Sequence, residues 1–331
     1  WKATITKLPE LRLVEPFPRL SSIFKDASSL IVDPQAHLPV DELVTRLSNL
    51  TSLNCGSIQQ STVDQLFTLK RLVCPNVRPP TSVEDLSTPF FPQLVQFRHL
   101  TALTLLDVTD DHMSAVGRLT NLVQLTIRSS AFTGRIEHLI DVSQLRSLEL
   151  ADAPLSHEFF YNLYLFPYLA MLSFTRCTLP INAVSPMTPL SQLSPTDGFI
   201  FIVGCASLNY LCINECAITE AHISVIGRIE TLVGLSFFRC PALNDFTIKP
   251  FQNTPILESL QELNLAETMV THIGLQVVGR FRRLRVLDIS RCDGVKILSP
   301  LSGLKALEVL RLPHVKCSAE TLQDAFRQPA V

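Results

Sequence analysis

The segment Leu208-Asn-Tyr-Leu211-Cys-Ile213-Asn-Glu-Cys216 decides the architecture of this chain, because its pattern returns in Leu284-Arg-Val-Leu287-Asp-Ile289-Ser-Arg-Cys292. The shared form is Leu-x-x-Leu-x-Leu, and most successive copies begin at a nearly constant interval. A unit this short cannot bury its apolar face alone, so it must stack on its neighbours and form a solenoid. Nine clear copies begin at Leu100, Leu122, Leu145, Leu169, Leu208, Leu232, Leu260, Leu284 and Leu307.

The second half of each repeat predicts a helix that follows the strand. Apolar residues recur there at helical spacing, and the first of them precedes the next strand motif by the same distance in four repeats. A hydroxyl side chain that accepts from free backbone N–H groups is typical of a helix N-cap. Such side chains stand at the start of these four helices, at Thr109, Ser156, Thr219 and Thr271. Weaker copies of the strand motif, around Leu11, Leu30, Leu53 and Leu72, extend the array toward the N-terminus.

These repeats resemble the leucine-rich-repeat family over nearly the whole chain. Cysteine occupies the ninth position of four repeats, at Cys177, Cys216, Cys240 and Cys292. This resembles the cysteine-containing subclass found in ribonuclease-inhibitor-like proteins and in the substrate-reading half of F-box proteins. The resemblance implies an α/β fold, a right-handed solenoid with a parallel inner sheet and helices on the convex face. We therefore expect a single domain over residues 1–331 with about 11 to 13 repeats.

The repeat spacing breaks where extra residues are inserted. The step from Leu169 to Leu208 is much longer than its neighbours, and the excess at 180–198 contains four prolines together with Ser, Thr and Gly. This composition predicts a loop, either a tolerated insertion or one that contacts a partner. At the C-terminus, residues 315–331 are predicted to form a cap, because the core of the last repeat would otherwise be exposed to water.

Composition and charge exclude several function classes. The 331 residues carry a net charge of −2 with no basic stripe, so direct nucleic-acid contact by a basic patch is not expected. The apolar content is 47%, which a continuous core explains, and no apolar run is long enough to span a membrane. Nine cysteines, most at inward positions, indicate a reducing intracellular compartment. The chain begins with Trp1 and not Met, so the cytoplasm and the mitochondrial matrix both stay open.

No catalytic motif is visible, and we expect no catalytic, cofactor-binding or metal site and no small-molecule substrate. The 11 glycines are scattered, without a phosphate-binding loop. Cys212 is expected on the concave face and Cys216 in the core, so these thiols would not grip one zinc ion. Histidines near the helix starts are expected at the surface in separate repeats; they are His112, His157, His222 and His272.

The concave face offers the candidate partner-binding residues. Met171, Tyr210 and Phe238 lie on neighbouring repeats and would form a modest apolar patch, or else are scattered surface residues. The eighth position alternates in charge from repeat to repeat, which predicts an ion-pair ladder; the alternative is that its arginines bind an acidic partner. This column reads Asp152, Arg176, Glu215, Arg239, Glu267, Arg291.

These observations together predict a non-enzymatic protein–protein interaction scaffold or adaptor within a larger assembly. Its protein partner would contact the concave face and the 180–198 loop. One alternative is a substrate-recognition subunit of a ubiquitin ligase, since residues 37–47 have a passing likeness to the opening of an F-box, although they fit better as the helix of an early repeat. The other alternative is a structural subunit or assembly factor of a mitochondrial complex.

Overall fold

The computed structural model describes residues 10–13, 28–32, 47, 50–54, 57–59, 70–73, 76–78, 99–180 and 195–313. The chain divides into two compact units. The first comprises Trp1–Phe132 with Ile136–Arg146, and the second comprises Thr133–Arg135 with Ser147–Val331. The expectation of a single domain over 1–331 stays a prediction, and the predicted cap at 315–331 lies outside the described residues.

The first unit is a parallel sheet with short helical turns between its later strands. Its strands β1, β2, β3, β5, β7 and β8 are hydrogen-bonded in that order, and β4 pairs with β6 beside them. The strands are β1 Glu10–Leu13, β2 Ser29–Val32, β3 Ser52–Asn54, β4 Ser57–Gln59, β5 Arg71–Val73, β6 Asn76–Arg78, β7 Ala102–Leu106 and β8 Gln124–Arg128. The helical segments are the 3₁₀ turn Asp110–His112, helix α1 Met113–Val116 and the 3₁₀ turn Glu137–Leu139.

The second unit repeats the same strand, turn and helix order. Its strands are parallel and lie in chain order: β9 Ser147–Ala151, β10 Met171–Thr175, β11 Tyr210–Asn214, β12 Gly234–Ser236, β13 Glu262–Asn264, β14 Val286–Asp288 and β15 Val309–Arg311. The α-helices are α2 His157–Tyr161, α3 Glu220–Ile226, α4 Asp245–Ile248 and α5 Leu275–Val278. The 3₁₀ segments are Asn162–Leu165, Pro195–Gly204, Lys249–Asn253, Pro255–Glu258 and Ser299–Gly303.

The core of the second unit is a row of leucines that the strand register aligns. Leu148 pairs with Leu172, Leu172 with Leu211, and Leu211 with Leu235 on successive strands. Their neighbours along each strand alternate with them and point the other way, as β-geometry requires. The predicted burial of the fourth repeat position is confirmed, since Leu125 in the first unit and Leu148, Leu211 and Leu235 in the second are at most 3% exposed.

Ser156 and Thr219 are the N-cap residues of α2 and α3, as predicted, whereas α5 begins after Gly274, three residues beyond Thr271, and Thr109 precedes the 3₁₀ turn Asp110–His112. Ser156 Oγ accepts from the backbone N–H of Phe159 at 3.4 Å. The backbone N–H of Thr219 donates instead to Nδ1 of His222 at 3.2 Å. Before α5, the carboxylate of Asp245 from the preceding repeat accepts from the backbone N–H groups of Thr271 and Gly274, each at 2.8 Å. The helix starts are therefore tied partly within repeats and partly between them.

The inserted segment rejoins the helical layer earlier than predicted. Residues 181–194 lie outside the described residues, but the 3₁₀ segment begins at Pro195, interrupted at Gly198 where φ is 72°. Residues 195–198 of the predicted 180–198 loop therefore belong to this 3₁₀ segment. The reason is packing: Phe199 is fully buried, and its ring lies 5.0 Å from that of Phe160 and 4.9 Å from that of His222.

The ninth-position cysteines are buried, as predicted, and all six described cysteines are free thiols. Cys240 Sγ donates to the carbonyl oxygen of Ile213 at 3.0 Å, and Cys292 Sγ donates to that of Leu265 at 3.0 Å. Each thiol thus satisfies a backbone carbonyl of the preceding repeat. The predicted inward positions of Cys55 and Cys74 lie outside the described residues.

Truncation of a row leucine should be costly. We expect Leu235→Ala to lower the free energy of unfolding by about 2–5 kcal/mol, because it removes buried methyl groups and leaves a cavity. Chemical denaturation measures the loss. Met269→Ala, at a position that is 64% exposed, is the control and should change stability little. A loss below about 1 kcal/mol at Leu235 would contradict the register described above.

The buried thiols should make stability fall in alkali. Burial raises the pKa of Cys216 to about 12 and that of Cys240 to about 11, from an ordinary value of 9.0. Unfolded thiols ionise first, so this contribution is fully present below pH 9 and is lost as the pH rises toward 11 to 12. Denaturation series across this pH range should show a shallower decline for Cys240→Ala than for the wild type. Equal slopes would refute the assignment.

Candidate functional site

The outward-facing residues of β9–β13 form a side-chain surface of the second unit, which we call the strand face. The buried row behind it fixes their direction, because successive strand residues point to opposite sides. Two columns run across it: Ser147, Met171, Tyr210, Gly234 and Glu262 in the first, and Glu149, Ser173, Cys212, Ser236 and Asn264 in the second. Small polar side chains dominate, so the few large ones stand out from the surface.

Tyr210 is the largest of these side chains and lies across its neighbouring strand. The register places it between Met171 on β10 and Gly234 on β12. A β-carbon built at Gly234 would overlap the ring of Tyr210. The glycine therefore allows the ring to lie against the sheet, while 41% of the residue stays exposed. Met171, half-buried beside it, completes a two-residue apolar surface.

The grouping of Phe238 with Met171 and Tyr210 stays a prediction, and Phe238 lies just beyond the end of β12 at Ser236. The guanidinium of Arg239 lies 5.1 Å from the centre of the Phe238 ring. The backbone N–H of Phe238 donates to Oδ1 of Asn214 at 3.1 Å, which fixes the turn that carries it. Phe238 belongs to the edge where strands end, with the charged column.

The charged column has a common backbone conformation that the sequence did not reveal. All six of its residues have φ between 52° and 63°, in the left-handed region that non-glycine residues seldom adopt. Asp107 in the first unit has the same conformation, with φ of 54°. The repeated left-handed turn after each strand directs these side chains alike, so that charges one whole repeat apart in sequence become neighbours.

The predicted ion-pair ladder is confirmed, in two separate clusters. Arg176 forms a two-pronged contact with Asp152, at 2.7 Å from Nε and 3.0 Å from Nη2, and its Nη1 lies 3.8 Å from Glu215. In the second cluster, Glu267 accepts from Arg239 Nε at 2.6 Å and from Arg291 Nη1 at 2.9 Å. The hydrogen bond from Arg239 holds the pKa of the Glu267 carboxyl below its ordinary value.

The arginines of this column are therefore already engaged with carboxylates. Arg176, Arg239 and Arg291 keep about half of their side-chain surface exposed while they are paired, at 50%, 49% and 59%. A paired and exposed guanidinium still has donors that face water. Their contact with a partner stays a prediction, and it would have to compete with the ion pairs.

Two predictions about reactive side chains have different outcomes. Cys212 is half-buried on the strand face while Cys216 is buried behind it, so the two thiols do face opposite ways. His222 was expected at the surface, but this was wrong: it is 1% exposed, with Nε2 3.1 Å from the carbonyl oxygen of Pro180. Among the described residues, no three His, Cys, Asp or Glu side chains lie grouped as metal ligands would.

Several features of the surface were not found by sequence reasoning. Gly234 was missed because a glycine in a strand motif adds no chemistry of its own, yet it positions Tyr210. On the helical side, Tyr161 contacts Tyr164 and Phe201 edge to face, with ring centres 5.6 and 5.1 Å apart. Tyr164 is 66% exposed. Only the helical periodicity hinted that these aromatic residues point outward.

Comparison with solved structures identifies the fold. The chain resembles a leucine-rich-repeat protein of Leptospira interrogans at 18% identity, over 92% of this chain and 77% of that one, with a TM-score of 0.50. An internalin of Listeria monocytogenes gives 15% identity over 93% and 88%, with a TM-score of 0.49. The plant peptide hormone receptor RGFR1 in complex with RGF2 gives 13% identity over 92% of this chain and 56% of that one, with a TM-score of 0.41.

The likeness to the Leptospira protein, together with the parallel sheet and its helices, shows that this chain has the α/β leucine-rich-repeat solenoid fold. No protein-family model matches the chain, and no curated protein matches it. Within the described ranges, no helix has both the length and the apolar character needed to cross a bilayer.

Arg239 should show stronger coupling with Glu267 than with Glu215. We expect Arg239→Ala and Glu267→Ala to be non-additive in the denaturation midpoint, because Nε and Oε2 are 2.6 Å apart. The coupling should be small and should shrink in 1 M NaCl, since exposed pairs are screened at about that ionic strength. The matched cycle of Arg239→Ala with Glu215→Ala should give weaker coupling. Equal coupling in both cycles would contradict this arrangement.

Proposed function

We propose that this chain is a non-enzymatic protein-interaction scaffold or adaptor within a larger assembly, and that its partner crosses the strand face and contacts Met171 and Tyr210. The observation that carries the proposal is the exposed ring of Tyr210, seated over Gly234 in the middle of a surface of small polar side chains. A monomeric protein gains nothing evident from holding a large aromatic ring in this place.

Interface energetics favour this position. Aromatic residues and Met are enriched at the centres of interfaces, where water is excluded around them. The neighbouring Ser173, Cys212 and Ser236 are short, so a partner's backbone would approach the sheet closely on either side of the ring. The ring already lies against the sheet, which reduces the entropy that binding would have to remove.

The chemistry of the exposed groups supports a binding role more than a catalytic one. Cys212 is the thiol that reaches the strand face, and burial followed by the charge of Glu149 raises its pKa. A thiol that stays protonated is a poor nucleophile. We also propose that this chain belongs to the cysteine-containing subclass of leucine-rich repeats. The hydrogen bonds from the Cys240 and Cys292 thiols to backbone carbonyls of the preceding repeat support this assignment.

The remaining predicted contacts would form the rim of the interface. Phe238 and the paired arginines Arg176, Arg239 and Arg291 lie at the strand-end edge, and the 180–198 insertion returns to the fold at Pro195. Rim contacts generally tune association more than affinity. The ubiquitin-ligase and mitochondrial alternatives gain no specific observation, since nearly all of the F-box-like segment 37–47 lies outside the described residues.

Affinity capture with quantitative mass spectrometry tests the proposal. The wild-type chain is used first to identify a partner, and the partner's affinity is then measured for the double variant Tyr210→Ala with Phe238→Ala. We expect the affinity to fall by a factor on the order of ten or more, because truncation of an aromatic anchor at an interface typically weakens binding by that much. Thermal unfolding of the variant should stay close to that of the wild type.

Tyr164→Ala is the matched control, because it removes an aromatic ring that is even more exposed but lies on the helical side. It should leave the affinity unchanged. If Tyr164→Ala abolishes binding while the strand-face variant does not, the helices and not the sheet carry the function.

A further inference from the structure

We propose that the strand face recognises an arginine side chain of its partner, held between the ring of Tyr210 and the carboxylate of Glu262. This inference rests on the proposed function and names the partner chemistry that the same surface fits. Tyr210 and Glu262 lie on two strands with Gly234 between them, and the sequence did not connect them.

The geometry brings the ring and the carboxylate together. The ring of Tyr210 covers Gly234, and Gly234 pairs in register with Glu262 on the next strand. Paired positions on adjacent strands are about 4.8 Å apart and point to the same side of the sheet. Glu262 is exposed, so its carboxylate is free to reach a cation that lies over the ring.

The second unit already contains one arginine held in this way. The guanidinium of Arg239 lies 5.1 Å from the centre of the Phe238 ring while its Nε donates to Glu267 at 2.6 Å. A planar guanidinium suits both contacts at once, because it stacks on an aromatic ring and donates at its edge. Tyr210 and Glu262 supply the same two partners, a ring and a carboxylate, on the open part of the strand face.

The charge of the strand face favours a cation over an anion. On β9–β13 its charged residues are Glu149 and Glu262; the same columns continue on β14 and β15 with Asp288 and Arg311, which pair with each other at 3.4 Å. The charge of Arg285 acts on Glu262 from the edge of β14, but Nη2 of Arg285 is held by Glu308 at 2.7 Å. None of the ion pairs found among the described residues includes Glu262.

An extended segment of a partner would present such a side chain most easily. Arginine carries an apolar stem that would lie along Met171 and the ring of Tyr210, while the charged end reaches Glu262. The short side chains at Ser173 and Ser236 leave room for the segment's backbone. The surface therefore fits an arginine flanked by small or apolar residues.

Fluorescence polarisation with two labelled peptide pools tests this inference. Both pools are short peptides of equal length, randomised among small and apolar residues around one fixed central position, which is arginine in one pool and its uncharged analogue citrulline in the other. We expect the wild-type chain to bind the arginine pool about fivefold more tightly at low salt, as a cation over an aromatic ring beside a carboxylate predicts. The preference should diminish as NaCl is added.

Three variants locate the contact. Glu262→Gln and Tyr210→Leu should each remove most of the arginine preference, the second while keeping an apolar side chain over Gly234. Glu230→Gln, at an exposed carboxylate in the turn before β12, should keep it. Equal binding of the two pools, no binding of either, or a preference that persists in Glu262→Gln overturns the inference. Loss of the captured partner in the Tyr210→Ala, Phe238→Ala variant, with no arginine preference in the pools, would leave the proposed function standing and remove only this step.

Discussion

The stacking of each repeat's buried leucine on that of the next repeat is the interaction on which the rest of the second unit depends. Leu148, Leu172, Leu211, Leu235 and Leu263 pair in register on consecutive strands, and each is at most 3% exposed. A single repeat cannot bury this leucine by itself, because the core of a solenoid is covered by the neighbouring repeats. The row therefore sets the register, and the register decides which side chains face outward.

Everything that the surface displays follows from that register. The turn after each strand adopts a left-handed conformation, so the residue at that place always points the same way and meets its counterpart in the next repeat. Charges of alternating sign at this position then form ion pairs, as Glu267 does with Arg239 and Arg291. The register likewise places Tyr210 beside Gly234, whose lack of a side chain leaves room for the ring.

The helical side is less regular than the sheet, because α-helices and 3₁₀ segments both occur in it. The 3₁₀ segment Pro195–Gly204 takes its place against α2 and α3 after the inserted residues, with Phe199 between Phe160 and the buried His222. Burial lowers the pKa of His222, and its two ring nitrogens face Thr219 and the carbonyl oxygen of Pro180. A segment can occupy this layer if its apolar side chains pack against the neighbouring helices, even when it is not a regular α-helix.

The sequence by itself determined the strand positions, the starts of α2 and α3, the inward leucines, the ninth-position cysteines and the pairing of the charged column, because each depends only on a period that can be counted. It placed His222 at the surface, where the structure buries it, because counting cannot show what a neighbouring segment covers. The tertiary structure alone decided that the ring of Tyr210 rests on Gly234 next to Glu262. The physical reason is that this contact joins three repeats, and the direction in which a side chain leans depends on the space its neighbours leave.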